Sequence, residues 1–190
     1  MVSLLDVFSN HIKLTKEEIQ LLESNIKRIH VAKDTLLLQE GYVARAFYFI
    51  ELGCLRLYYN TEESEKTAFF YTEGMFASSF ESFIKGVSAK HNIQVVEDAQ
   101  LLVFDQETIQ RFVSLSPKFN LLARVIMEEE LVICQDIISS FVTLNAEGRY
   151  RKLLLEQPAL LDRVPQHQIA SYLGVAPETL SRIRNRIRKN

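Results

Sequence analysis

Tryptophan is absent from the chain, cysteine occurs only as Cys54 and Cys134, and there are six glycines and four prolines. Low glycine and proline exclude collagen-like and low-complexity sequence. Two scattered thiols make neither a disulfide framework nor a metal-ligand cluster. They also fall short of the roughly four ligands that an iron–sulfur cluster takes. The four histidines, at positions 11, 30, 91 and 167, show no spacing that favours a metal. Haem through a single His or Cys stays open in principle. There is no G-x-S-x-G, P-loop or G-x-G-x-x-G, and no His-x-His with a later His. Each Ser, Cys and carboxylate lacks a catalytic partner at the sequence level, so no enzyme is expected. No apolar run approaches the roughly 18 residues of a membrane span. The start, MVSLLDVFSNHIK, sets an Asp early and has no basic region leading into an apolar one. The reading is a cytoplasmic protein without a signal peptide.

What is present is an ordinary globular composition, 190 residues with 47% hydrophobic and 24% charged, enough for one or two domains with a core. The net charge of −2 is unevenly spread. Residues 149–190 hold nine Lys or Arg against three acids, a local +6 that leaves −8 on residues 1–148. A basic end on an acidic body suits a polyanion at one part only, or a solvated basic tail.

Thr15 with Glu18 forms a capping box for a first helix containing Ile19, Leu22 and Ile26. Short runs rich in Val, Ile, Tyr and Phe then recur: 35–38, 47–51, 55–59, 67–71, 92–96 and 101–104. Gly41, Gly53, Gly74 and Gly86 or polar clusters separate them, which reads as an antiparallel sandwich or barrel. Asp105 is placed to cap a short helix with Ile109 and Phe112, and Ser116-Pro117 to open a long one. In the long helix Phe119, Leu122, Ile126, Ile133, Ile137, Phe141 and Leu144 form one apolar stripe, and Leu121, Val125 and Val132 a second. Two stripes need cover on two sides. One cover is the strand-rich domain. The other is the same helix of a second chain, with Leu122, Ile126, Ile133, Ile137 and Phe141 at the seam, or else the helix is buried within one domain. Glu147–Glu156 reads as a further helix that Pro158 ends.

The stretch 166–184 fits a helix-turn-helix. Ile169, Ala170 and Leu173 face inward from a first helix, with Ala170 small where two helices cross. Gly174 sits at the turn, and Val175, Leu180 and Ile183 lock the second helix in place, with Pro177 at its start. At about 100° per residue from Glu178, Ser181, Arg182 and Asn185 lie near 300°, 40° and 340°, whereas Leu180, Ile183 and Ile187 lie near 200°, 140° and 180°. The polar face is suited to base edges: Arg182 to guanine O6 and N7, Glu178 to cytosine N4, with Ser181 adaptable. Thr179, Arg184, Arg186, Arg188 and Lys189 flank it and suit phosphates, with Asn185 in support and His167 and Gln168 near the backbone from the first helix. The bland alternative is a helical hairpin with a cationic surface.

Along nearly its whole length the chain resembles the Crp/Fnr family of bacterial transcription regulators. The segment Glu178-Thr179-Leu180-Ser181-Arg182 is similar to the family's E-x-x-S-R recognition signature. The order of strands, long helix and helix-turn-helix matches as well. The resemblance implies an α+β protein: an N-terminal antiparallel β-roll (jelly-roll-like) with flanking helices as sensor at 1–115, a long dimerisation helix at 116–144 and an all-α helix-turn-helix domain at 145–190. It implies a homodimer on a near-palindromic double-stranded DNA operator, with Glu178, Ser181 and Arg182 reading bases and RNA polymerase as a further partner. Pro177 stands where the catabolite-activator branch has a DNA-contacting Arg. The chain stops soon after the recognition helix, so the family's β-hairpin wing is not expected. Ala77-Ser78 replaces the family's ribose-binding Gly-Glu, and Ala89-Lys90 its phosphate-binding Arg-Ser or Arg-Thr. Losing that carboxylate and that bidentate Arg argues against cAMP and leaves Ser78, Ser79 and Lys90 as candidate effector-pocket residues. Ala176 replaces a frequent capping Thr. The rival expectation is a β-roll ligand-binding module that regulates a protein partner.

Overall fold

Short polar caps start each N-terminal element. The computed structural model describes residues 1–188. Helix α1 (Leu4–Ser9) is capped by Ser3, whose Oγ accepts from the Leu5 N–H at 3.2 Å. Helix α2 (Lys16–Asn25) carries the expected capping box: Thr15 Oγ1 accepts from the Glu18 N–H at 3.2 Å, and Glu18 Oε2 from the Thr15 N–H at 2.8 Å. Lys118 also donates to Glu18, and this bond leads the causes that hold the Glu18 carboxyl down to about 2.

Eight strands follow: β1 (Lys27–Val31), β2 (Leu36–Leu38), β3 (Ala46–Leu52), β4 (Leu55–Asn60), β5 (Glu65–Tyr71), β6 (Phe76–Ala77), β7 (Asn92–Val95) and β8 (Ala99–Asp105). Helix α3 (Phe80–Lys85) lies between β6 and β7. The strands form two four-stranded sheets, ordered β1-β8-β3-β6 and β2-β7-β4-β5, with antiparallel pairing of β1 and β3 to β8, β3 to β6 and β2 to β7. This is the β-roll of the sequence reading, with α3 and the short strands β1 and β6 added. Ile50, Leu55, Ile93, Val95 and Leu101 are fully buried, as is Phe49, which neighbours Ile50 on β3 and so faces the other way, into the core shared with the helices. Between β3 and β4, Gly53 has φ +110°, and a Cβ there would lie 2.7 Å from that of Ala99, so only glycine fits. Glu51, buried on β3, accepts two bonds from Arg28 of β1 at 2.6 and 2.8 Å and one from Gln100 of β8 at 3.2 Å, a bidentate clamp that reaches across β8, the strand between β1 and β3.

Helix α4 (Gln106–Leu115) is capped by Asp105, which accepts from the Thr108 N–H at 2.8 Å. Helix α5 (Pro117–Thr143) starts after Ser116 as expected. Helices α6 (Ala146–Glu156), α7 (Leu160–Arg163), α8 (Gln166–Tyr172) and α9 (Pro177–Ile187) complete the described chain. The chain divides into two compact units, one of residues 1–57 and 70–130, the other of 58–69 and 131–190. In the first, Leu4, Phe8, Leu22, Phe76, Phe104, Phe112, Phe119 and Leu122 form an aromatic-rich core. Leu122, at 3% exposure, belongs to that core and Ile126 packs on it, which corrects the expected seam at these two positions only, since Ile133 and Ile137 are half-buried and Phe141 is 46% exposed. In the second unit, the 58–69 hairpin grips α8. The Thr67 N–H donates to Ser171 Oγ at 2.8 Å, and Ser171 Oγ donates to the Glu65 carbonyl at 3.1 Å.

Candidate nucleic-acid interface

The turn between α8 and α9 is made by backbone chemistry around one glycine. Gly174 takes φ +68°, the Val175 N–H donates to the Ala170 carbonyl at 3.0 Å and the Gly174 N–H to the Ser171 carbonyl at 3.0 Å. These two bonds are those of a Schellman C-cap, which requires a left-handed residue at this place. Ala170 is wholly buried, and Ile169, Leu173, Leu180 and Ile183 are buried around it, while Val175 is half-buried. Pro177 occupies the first turn of α9, where its missing N–H costs nothing. Ala176, the N-cap, makes no side-chain cap bond.

Glu178, Ser181, Arg182 and Asn185 lie exposed on the face of α9 opposite Leu180 and Ile183. Arg182 is folded back onto its own helix: Nη2 donates to Thr179 Oγ1 at 3.3 Å and Nε to the Glu178 carbonyl at 3.4 Å. Thr179 and Arg184 are half-buried, and His167 and Arg188 are exposed. Lys189 lies outside the described residues. Gln168 is 7% exposed, with its Oε1 unbonded among the described residues. A contact from Gln168 to a DNA backbone is therefore withdrawn, because its side chain is inside the α8 packing. Arg186 donates to Glu147 at 2.9 Å, so its charge is partly neutralised where a free phosphate contact was expected.

One basic residue has a role that charge counting missed. Arg149 donates from Nε and Nη2 to the Leu173 carbonyl at 3.1 and 2.9 Å and from Nη1 to the Leu144 carbonyl at 2.7 Å. Its guanidinium lies 4.5 Å over the Phe141 ring. A cation on the Leu173 carbonyl at the end of α8 and on the Leu144 carbonyl just after α5 satisfies an orphan acceptor at each helix end and favours both helix dipoles. Arg149 thus positions the turn. Arg151 pairs with Glu147, and Lys152 with Asp136, so the basic segment is partly internally compensated.

Within the first unit, a cavity of about 350 Å³ is lined by residues that include Tyr42, Arg45, Tyr48, Ser78, Ser79 and Ile93. Ser78 and Ser79 are buried there, and Ser78 Oγ donates to the Ala46 carbonyl at 2.8 Å. Lys90 is not part of this lining. Its Nζ donates to Glu81 at 3.2 Å, which corrects its expected place in an effector pocket and lowers the Glu81 carboxyl below its usual range. Among the described residues no group of His, Cys, Asp and Glu is assembled for a metal ion, and no helix is long and apolar enough to cross a membrane.

Residues 28–116 match the cyclic nucleotide-binding domain family. No curated protein matches the chain. Among solved structures, FixK2 from Bradyrhizobium japonicum is 17% identical with a TM-score of 0.74, covering 86% of this chain and 85% of its own. The c-di-GMP-responsive global regulator CLP of Xanthomonas campestris is 17% identical with a TM-score of 0.72 over 92% of each chain. A protein from Eubacterium rectale, assigned to the Crp/Fnr family of transcriptional regulators, is 17% identical with a TM-score of 0.71, covering 94% of this chain and 88% of its own. Residues 28–116 thus match the cyclic nucleotide-binding domain family, and the chain shares the fold of these solved structures.

Proposed function

We propose that this protein is a sequence-specific DNA-binding transcription regulator of the Crp/Fnr type, acting in the cytoplasm as a homodimer on a near-palindromic operator. The observation that carries the reading is the two-faced α9: Leu180 and Ile183 are buried, while Glu178, Ser181 and Arg182 stand exposed on the opposite side. In this reading the sensor is the β-roll at 1–115, the long helix at 116–144 joins two copies, and 145–190 meets the duplex, with RNA polymerase as the downstream partner. Arg182 leaves its weak contacts with Thr179 and the Glu178 carbonyl to reach guanine, trading long bonds for a bidentate pair. Glu178 and Ser181 read neighbouring base edges, and Arg184 and Arg188 hold phosphates, with Lys189 in the same role.

The seam is placed instead on a further face of α5, outside both stripes of the sequence analysis: Leu131, Ile138 and Val142 are 58%, 63% and 79% exposed. Their spacing of seven and four residues sets them on one face of the helix, as a coiled-coil partner requires. The effector is not cAMP in this reading, because the cavity holding Ser78 and Ser79 has no carboxylate among its lining residues.

The test is selection of bound duplexes from a random library, followed by anisotropy with the recovered sequence. Selective recovery of a palindrome is expected. Arg182→Ala should cost about 1–3 kcal/mol per half-site on the recovered operator and relax preference at one base pair. Equal weakening on operator and random DNA would make Arg182 a phosphate contact. No enrichment above random would overturn the reading as a whole.

A further inference from the structure

The second cavity of the first unit has a different chemistry from the one around Ser78. It has a volume of about 240 Å³ and is bounded by sixteen residues, of which eight are phenylalanine and none is polar. The chain has twelve phenylalanines, so two-thirds of them line one space. They come from separate elements: Phe47 from β3, Phe80 and Phe83 from α3, Phe112 from α4, Phe119 from α5. Their rings are set at angles typical of edge-to-face pairs. Phe80 and Phe83 meet Phe47 at centroid distances of 5.0 and 4.7 Å with interplanar angles of 74° and 70°. Phe112 stacks on Phe119 at 5.2 Å. Close packing normally leaves no void of this size in a domain core. An engineered cavity of about 150 Å³ with a comparable Leu/Ile/Phe lining stays dry and takes up benzene. This one is larger by more than half. Ile84, Ala123 and Met127 line it and are themselves exposed, which marks the mouth.

We propose that this cavity is a binding site for an uncharged aromatic molecule of about two fused rings. The size follows from the comparison with benzene. The class follows from the lining: a carboxylate, phosphate or ammonium would be stripped of water with no partner inside, whereas aromatic rings offer faces and edges to a planar guest. A polar cyclic nucleotide is excluded from it on the same ground. If the chain is the regulator proposed above, its signal is apolar, and α5, which supplies Phe119, Leu122 and Ile126 to the wall, is the element that senses occupancy. That consequence rests on the regulator reading, whereas the binding is measured without DNA and fails or succeeds independently of it.

Naphthalene is the probe, added to the full chain. Calorimetry is expected to show saturable one-to-one binding, with a rise in Tm. Methyl-selective NMR is expected to show shifts at Ile109, Ile126 and Met127, with none at Ile93 in the other cavity. Ala123→Trp places a large ring at the mouth from an exposed helix position and should weaken binding about tenfold or more, equivalent to about 1.4 kcal/mol. Absence of saturable binding up to the solubility of naphthalene overturns the proposal. So does binding that moves the Ile93 methyl in place of those three, or that survives Ala123→Trp unchanged.

Discussion

Gly174 holds its φ of +68° beneath the Phe141 ring, and a Cβ placed there would come within 3.1 Å of Phe141 Cε1. Two separate costs oppose any side chain: the left-handed backbone, about 1 kcal/mol or more, and displacement of a ring that is also held by Arg149. Gly174→Ala should therefore destabilise the second unit by about 1–2 kcal/mol, seen as a lower urea midpoint. An unchanged midpoint would mean that Phe141 yields freely. Glu130 gives a second prediction at this scale. Desolvation raises its carboxyl to about 7, against a partly compensating hydrogen bond from Tyr71. Unfolded, it titrates near 4.5. Between these pH values the folded chain holds more protons, so stability falls as pH rises from about 4.5 to about 7. Glu130→Gln should remove that slope and raise stability at pH 8, with about 3 kcal/mol as the upper bound. Thermal melts of both chains from pH 4 to pH 8 read this directly, and parallel curves would show that Glu130 titrates alike in the folded and the unfolded chain.

At the scale of elements, α9 starts without a side-chain cap. Ala176 already has the extended φ and ψ of an N-cap, −71° and 150°, but no side-chain oxygen, and the Thr179 N–H donates to its backbone carbonyl at 3.0 Å instead. Ala176→Ser should add about 1 kcal/mol of stability in urea denaturation without altering the exposed face. A neutral result would place the helix start under tertiary control. The same local chemistry explains which elements were legible in the sequence. Thr15 with Glu18, Asp105 and Ser116-Pro117 are local signals, and each marks an observed helix start. The inward set Leu180 and Ile183 was legible from helical period alone. Strand β1 was not, because it mixes Lys27, Arg28 and His30 with Ile29 and Val31, and what makes it a strand is its ladder to β8. Strand β6 has two residues and α3 six, too short for a period to show. Arg149 was hidden for another reason: its partners are backbone carbonyls of Leu144 and Leu173, and the latter lies 24 residues away. On α5 the sequence does not say which apolar positions the chain's own aromatic core consumes, and the exposed ridge of Leu131, Ile138 and Val142 falls outside both stripes read from it.

For the whole molecule, the proposed function requires two recognition helices about 34 Å apart, so that both enter successive major grooves on one side of the duplex. One α9 per chain does not supply this, and the exposed ridge of α5 is what remains to bring two copies together. Leu131, Ile138 and Val142 leave apolar surface in water along one helix face, which a second copy of the same helix would cover. Ile138→Glu tests this with little risk to the fold, because Ile138 is already 63% exposed in the single chain. In a symmetric dimer the new carboxylate enters an apolar seam, and its counterpart from the partner enters with it. Light scattering should then report a monomer at concentrations where the native chain is expected to be a dimer, while the Tm of the isolated chain stays within a few degrees. DNA affinity should fall about a hundredfold or more, because the second half-site is no longer held at high effective concentration. Binding to a single half-site should be unaffected, since α9 itself is untouched. A variant that stays dimeric would move the seam to another face of α5. A dimer lost without any change in operator affinity would mean that the two recognition helices do not act together.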